Sequence, residues 1–181
     1  MLNKPAGYIT ATEDDRHHTV LDLFSSLPIV SKLFPVGRLD IDTEGLLIIT
    51  TDGQLGHKLS HPKWNVEKEY YAIVEGDISN IDFSDYEKKG LYLKQDKYQT
   101  KPFKVRVLSR SSEKSEILII VTEGKYHIVK KIMKELDHPV LYLKRVRIGS
   151  LSLDESLKPG EYRELTETEV ESLKHLVRIN D

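Results

Sequence analysis

Cysteine is absent from the 181 residues. Disulfides, thiolate metal sites and cysteine nucleophiles are therefore excluded, and the absence fits a reducing cytoplasm. Long apolar runs are missing too. None approaches the roughly 18 residues of a membrane span. No apolar segment follows Met1-Leu2-Asn3-Lys4-Pro5, as a secretory leader would require. The chain also lacks GxGxxG, a Walker loop and GxSxG, so dinucleotide, P-loop and serine-hydrolase readings have no signature. No internal repeat or low-complexity tract appears. The length suits one catalytic-size domain over residues 1–181, with a polar 77–100 region around which it could be bilobed.

What is present is an uneven distribution of charge. The net charge is -2. Residues 1–100 carry 11 basic and 16 acidic side chains, residues 101–150 carry 12 and 5, and residues 151–181 carry 4 and 8. The positive block, net +7, is a candidate phosphate-contacting surface, because Lys and Arg at a nucleic-acid backbone release counterions. A solvated basic face is the plainer reading.

Apolar spacing predicts the elements. Residues 8–11 read as a strand. Thr19 caps a short helix over 20–24. The run 46–51 reads as a buried strand, stopped by Asp52-Gly53 and followed by a helix over 54–59. Residues 68–75 form a strand with Lys68, Tyr70, Ala72 and Val74 on one face. A short helix closes at Gly90. Strands follow over 103–108 and 117–122. Residues 126–137 read as an amphipathic helix with Ile128, Val129, Ile132, Met133 and Leu136 inward and His127, Lys130 and Lys134 on the opposite side. A strand covers 140–148. Thr166 and Glu169 have capping-box spacing before a last helix with Val170, Leu173, Leu176 and Val177 inward. Many strands with few helices between them imply an α+β fold with a mixed sheet.

The most informative stretch is residues 37–45, where Arg38, Asp40, Asp42 and Glu44 crowd the mouth of the buried strand. A buried, unpaired carboxylate is costly, so one of these acids needs a cation or a task. Asp40-x-Asp42-x-Glu44-Gly45 imitates half an EF-hand, but Thr51 stands where the bidentate Glu is required. His17-His18 and His57/His61 lack partners at metal-ligand spacing. No metal is expected. Asp40, Lys68-x-Tyr70, and Gly124-Lys125-Tyr126-His127 with Lys130 together offer a carboxylate, an aromatic and a cation. That set suits a pocket for a flipped base. Taken singly, each has an ordinary alternative: a turn cap, a core aromatic, a surface lysine.

At this point the chain resembles the RsuA-type branch of the ribosomal RNA pseudouridine synthases. Leu2-Asn3-Lys4-Pro5-Ala6-Gly7 resembles the family's first motif, and residues 34–47 its catalytic motif. Glu67-Lys68-Glu69-Tyr70-Tyr71 resembles the tyrosine motif. Residues 123–130, with Leu143, Arg145 and Ile148-Gly149, are similar to the third motif. Pro159-Gly160-Glu161-Tyr162-Arg163 is similar to the C-terminal signature. The resemblance implies a pseudouridine synthase-like α+β fold, a mixed and mostly antiparallel sheet with flanking helices and a central active-site cleft. It implies cofactor-free isomerisation of an rRNA uridine to pseudouridine by a cytoplasmic monomer acting on rRNA or a pre-ribosomal small-subunit particle. Asp40 takes the nucleophile's place, Tyr70 the stacking ring's and Lys130 the basic partner's. A cation near a carboxylate favours the ionised form a nucleophile requires. Arg38 matches the position that fills the space left by the base. His127, Lys134, Lys144 and Arg145 join it as RNA-binding candidates. The GKYH form at 124–127 points to small-subunit 16S rRNA at its uridine-516-type site. A large-subunit 23S target, a non-catalytic assembly module and a carboxylate-based nucleoside hydrolase are the rivals.

Two departures stand out. Ile128 occupies a position that is commonly Gln in the family; facing the core, it is expected to alter packing rather than chemistry. Family members also usually carry an S4 RNA-binding domain ahead of the first motif, where this sequence begins. The expectation is a catalytic domain without it, with the +7 block supplying most phosphate contacts.

Overall fold

A computed structural model describes residues 1–179. In chain order the strands are β1 (Leu2–Lys4), β2 (Phe34–Val36), β3 (Glu44–Thr50), β4 (Lys68–Glu75), β5 (Tyr92–Leu93), β6 (Tyr98–Gln99), β7 (Lys104–Arg110), β8 (Lys114–Val121), β9 (Val140–Ile148) and β10 (Leu151–Ser152). The helices are α1 (Gly53–Ser60), α2 (Ser84–Lys89), α3 (Ile128–Glu135) and α4 (Glu167–Leu176). The fold is α+β. The chain divides into two compact units, Met1–Val66 with the chain from Arg145 onward, and Glu67–Lys144.

The first unit is organised by β3. Its apolar run puts Leu46 and Leu47 wholly out of solvent. β1 pairs antiparallel with its first half, Leu2 opposite Leu47 and Lys4 opposite Gly45. β2 pairs antiparallel with its second half, Val36 opposite Ile48. Gly45 has φ +108°, and a Cβ there would lie 2.2 Å from the Arg145 carbonyl oxygen. Only glycine permits that approach. Asp52 ends the strand and opens α1 by accepting from the Leu55 amide at 3.1 Å. The α4 capping box is reciprocal: Thr166 Oγ1 accepts from the Glu169 amide at 3.1 Å, and Glu169 Oε1 from the Thr166 amide at 2.8 Å. Leu173 and Val177 then enter a core with Leu46, Ile48, Leu55 and Leu59. Leu176, expected inward, is 41 % exposed; it lies over Gly149 instead.

The second unit is built on β4 and β8, antiparallel over eight residue pairs from Lys68/Val121 to Glu75/Lys114. β7 lies on the other side of β8, with a bulge between Val107 and Ser109. Ala72, Val74, Ile117 and Ile119 meet Ile128, Val129, Ile132 and Met133 in one core. Ile128 faces this core as expected, 5 % exposed. α2 closes on Gly90 at φ +71°. β5 and β6 form a small hairpin with Leu93 buried.

Two expectations need correction. Residues 8–11 are not a strand: Ile9 makes only an isolated bridge to Thr19. The helix expected over 126–137 is the shorter α3, because His127 is its N-cap in the left-handed region, φ 55° and ψ 31°. His127 therefore does not share a helical face with Lys130 and Lys134, and Tyr126 lies outside the helix.

Candidate active site

In the first unit the candidate residues lie on the loop between β2 and β3. Asp40 is half-buried, Arg38 and Asp42 are exposed, and Glu44 begins the strand. The loop's backbone is fixed by residues from the start of the chain. Lys4, wholly buried at the end of β1, donates from Nζ to the carbonyl oxygens of Thr43 at 2.7 Å, Pro5 at 3.0 Å, Asp40 at 3.1 Å and Ile41 at 3.3 Å. Burying an ammonium is costly unless it is solvated by such dipoles. Here three of the four acceptors are carbonyls of the loop itself, so the loop's shape and the lysine's burial depend on each other. The Gly7 amide donates to the Ile41 carbonyl at 2.8 Å. Thr10 Oγ1 bridges the Leu39 amide and carbonyl, both at 3.3 Å. The Thr43 amide closes the turn on the Asp40 carbonyl at 3.0 Å. Asp40 thus sits on a backbone held at Leu39, Asp40, Ile41 and Thr43.

Arg145 departs from its expected place on RNA. It is 4 % exposed and its Nε donates to the Leu46 carbonyl at 2.9 Å. Its guanidinium is turned into the protein, beside the strand that follows the Asp40 loop, and not toward a phosphate at the surface.

In the second unit Tyr70 stands on β4 opposite Ile119 and packs against the core while still half-exposed. Lys130 lies in the first turn of α3 and Lys134 one turn later; Lys130 is half-buried and Lys134 exposed. Lys144, on β9, is half-buried. His127 caps α3 with its ring stacked on Tyr126, centroids 3.5 Å apart at 23°.

Several residues of this region were not singled out by sequence reading. Asp96, at the β5–β6 turn, accepts from Lys131 Nζ at 2.6 Å and lies 3.9 Å from Lys125 Nζ. The Lys131 hydrogen bond holds its carboxyl below the usual range. Lys125 Nζ also lies 3.9 Å from the Tyr98 ring centroid. Tyr98 donates its hydroxyl to Glu123 Oε1 at 2.5 Å, and the Lys101 amide donates to Oε2 at 2.6 Å. The bond to Glu123 pushes the Tyr98 phenol up to about 12. These pairs join residues far apart in sequence, so spacing carries no sign of them. Lys4 stands in the opening motif, residues 2–7, but nothing local marks it as buried. Among the described residues no group of three His, Asp or Glu side chains gathers where it could hold a metal ion.

The family model for RNA pseudouridylate synthase matches residues 1–135. An uncharacterized RNA pseudouridine synthase of Aquifex aeolicus (strain VF5) is 47% identical over 181 residues, covering 99% of this chain and 73% of that protein. The ribosomal small subunit pseudouridine synthase A of Salmonella typhimurium (strain LT2) is 41% identical over 173 residues, 96% of this chain and 72% of that one. A crystal structure of a pseudouridylate synthase superposes with a TM-score of 0.86 at 36% identity, covering 95% of this chain and 71% of its own. Fold and motifs together define an isomerase that acts on RNA. The chain belongs to the RNA pseudouridylate synthase family.

Proposed function

We propose that this chain isomerises one uridine of small-subunit 16S rRNA, at the uridine-516-type site, to pseudouridine. The observation that carries the chemistry is the Asp40 loop, whose backbone is tied to the buried Lys4 ammonium at the Asp40, Ile41 and Thr43 carbonyls. A nucleophile on a preset backbone needs little reorganisation as the reaction proceeds. Asp40 is assigned the nucleophile's role, Tyr70 stacking and Lys130 the cationic role. The target nucleotide leaves its stack at a cost of a few kcal/mol. Asp40 attacks at the sugar C1′ or at the base. On either route the glycosidic C–N bond breaks, the base turns, a C–C bond forms between the same two partners, the Asp40 carboxylate is released, and the proton lost from the newly bonded ring carbon is balanced by one gained at the freed ring nitrogen. No atom is gained or lost, so the reaction needs no oxidant, reductant or second substrate. Arg38 fills the space the base leaves, and Lys134 and Lys144 contact the phosphates.

The rRNA assignment is supported by the name of the Salmonella relative and by the GKYH form of residues 124–127. The proposal extends to an enzyme of the cytoplasm, working as a monomer on rRNA or an assembling small subunit, with residues 1–181 as its catalytic domain. Pseudouridine mapping of total rRNA with and without the protein tests the target. A single small-subunit position is expected; a large-subunit position overturns the assignment. Asp40→Asn is expected to abolish isomerisation while keeping RNA binding and fold, and product formation by that variant would contradict the nucleophile's role.

A further inference from the structure

The turn before α3 carries a feature the isomerisation does not use. Tyr126 is 70 % exposed, the most open large hydrophobic side chain among the described residues. An isolated exposed ring would be unremarked, but this one is built in. Its ring stacks on His127 at 3.5 Å and 23°, and Lys131 Nζ lies 5.5 Å from its centroid. With both contacts made, seven-tenths of the side chain is still open to solvent. The left-handed backbone at His127, φ 55°, turns the pair out of the helix. Histidine is among the few residues other than glycine that enter this region with some frequency, and here the surroundings hold it. Asp96 grips Lys131 on one side of the turn and lies near Lys125 on the other. The Tyr98 ring lies against Lys125, and Glu123, just upstream, is held by Tyr98 and the Lys101 amide. An aromatic pair is thus presented on a clamped turn among lysines.

We infer that Tyr126, backed by His127, is a stacking platform for an unpaired base of the RNA substrate, a nucleotide other than the uridine being isomerised. Bases splayed from single-stranded or loop RNA stack on exposed aromatic rings, and flanking cations meet their phosphates. Lys125 and Lys131 supply such charge within the clamp, and Lys134 adds an exposed cation on the next turn. A protein partner is the less favoured occupant, because the ring lies against an imidazole and near an ammonium. The inference rests on action on RNA and not on which uridine is modified.

The test compares wild type, Tyr126→Phe, Tyr126→Leu and Tyr126→Ala in binding a twelve-nucleotide oligouridylate that carries one 2-aminopurine. Pseudouridine formation in total rRNA is measured in parallel. Wild type and Tyr126→Phe are expected to quench the 2-aminopurine and bind alike. Tyr126→Ala and Tyr126→Leu are expected to lose the quench and bind roughly 5- to 150-fold more weakly, the range for one lost base–aromatic stack. The slope of affinity against salt should be unchanged, since no phosphate contact is removed. Melting temperatures should match, since the side chain is exposed. Absence of quenching by wild type, wild-type affinity in Tyr126→Ala, or a Tyr126→Leu that binds like wild type overturns the platform. The two readings fail separately. Tyr126-dependent quenching without a small-subunit product leaves the platform and removes the rRNA assignment. A small-subunit product with Tyr126-independent binding does the reverse.

Discussion

Lys4 shows how a residue that holds only the backbone beneath a proposed nucleophile can decide the shape of its loop. Its ammonium replaces water for carbonyls that the loop turns inward. Lys4→Met keeps the length and apolar stem but leaves those acceptors bare. Each buried, unmatched acceptor costs about 1–3 kcal/mol, less whatever the loop recovers by opening to water. The expected result is a chain that melts earlier yet still folds and binds RNA. Its kcat should fall at least about tenfold with KM little changed, because the lost interaction sets the position of Asp40 rather than the grip on substrate. A variant with wild-type kcat would show that the loop holds its shape without the lysine. The position of the Asp40 loop was legible in the sequence, since acids crowd there before the apolar run that becomes β3. Lys4 was legible only as a motif letter. Burial of a lysine is an outcome of tertiary structure, and nothing local announces which carbonyls it will meet.

At the scale of elements, β4 and β9 match the expected 68–75 and 140–148 residue for residue. Alternation and β-branched content there agree with the tertiary outcome. α3 fell short because periodicity cannot register a change of backbone sign. His127 fits the helical spacing but adopts the left-handed region, and the exposed Tyr126 leaves the helix with it. β5 and β6 went unseen because two-residue strands have no period to detect. Yet the hairpin they form bears the contacts that fix the turn before α3. Tyr98→Phe removes one hydroxyl from this arrangement and leaves Glu123, 6 % exposed, short of a donor. A loss of about 1–3 kcal/mol is expected, read by urea denaturation. In an alkaline spectrophotometric titration the phenol ionising near 12 should vanish. If the late-titrating phenol persists in this variant, Tyr98 is not its source.

For the whole molecule, the acid limb of stability should report one cluster. Arg163 grips Glu169 through two bonds of 2.8 and 3.0 Å and Asp154 through Nε at 2.8 Å. Glu169 is lowered to about 2 chiefly by Arg163, and Asp154 to about 2 chiefly by Ser156, with Arg163 adding to it. Both folded values lie below the ordinary 4.5 and 3.8, so the unfolded chain takes up protons first. The stabilisation is complete above about pH 5 and is lost as pH falls toward 2. Melting temperature is therefore expected to decline over that window, and Arg163→Gln to flatten the decline by removing the shared partner. An unchanged acid limb in that variant would assign the effect to other carboxylates.

The division of the chain has a consequence for the order of events during translation. The unit from Glu67 to Lys144 is continuous, whereas the other joins residues 1–66 to the chain from Arg145 onward. Leu173 and Val177 lie in the same core as Leu46 and Ile48, and the Arg145 side chain braces Leu46. The continuous unit can close while the ribosome is still extending the chain. The segment with the Asp40 loop emerges first but must wait for the last helix before its core is whole. Sequence order alone thus sets completion of the core around the Asp40-bearing segment after α4 has been made.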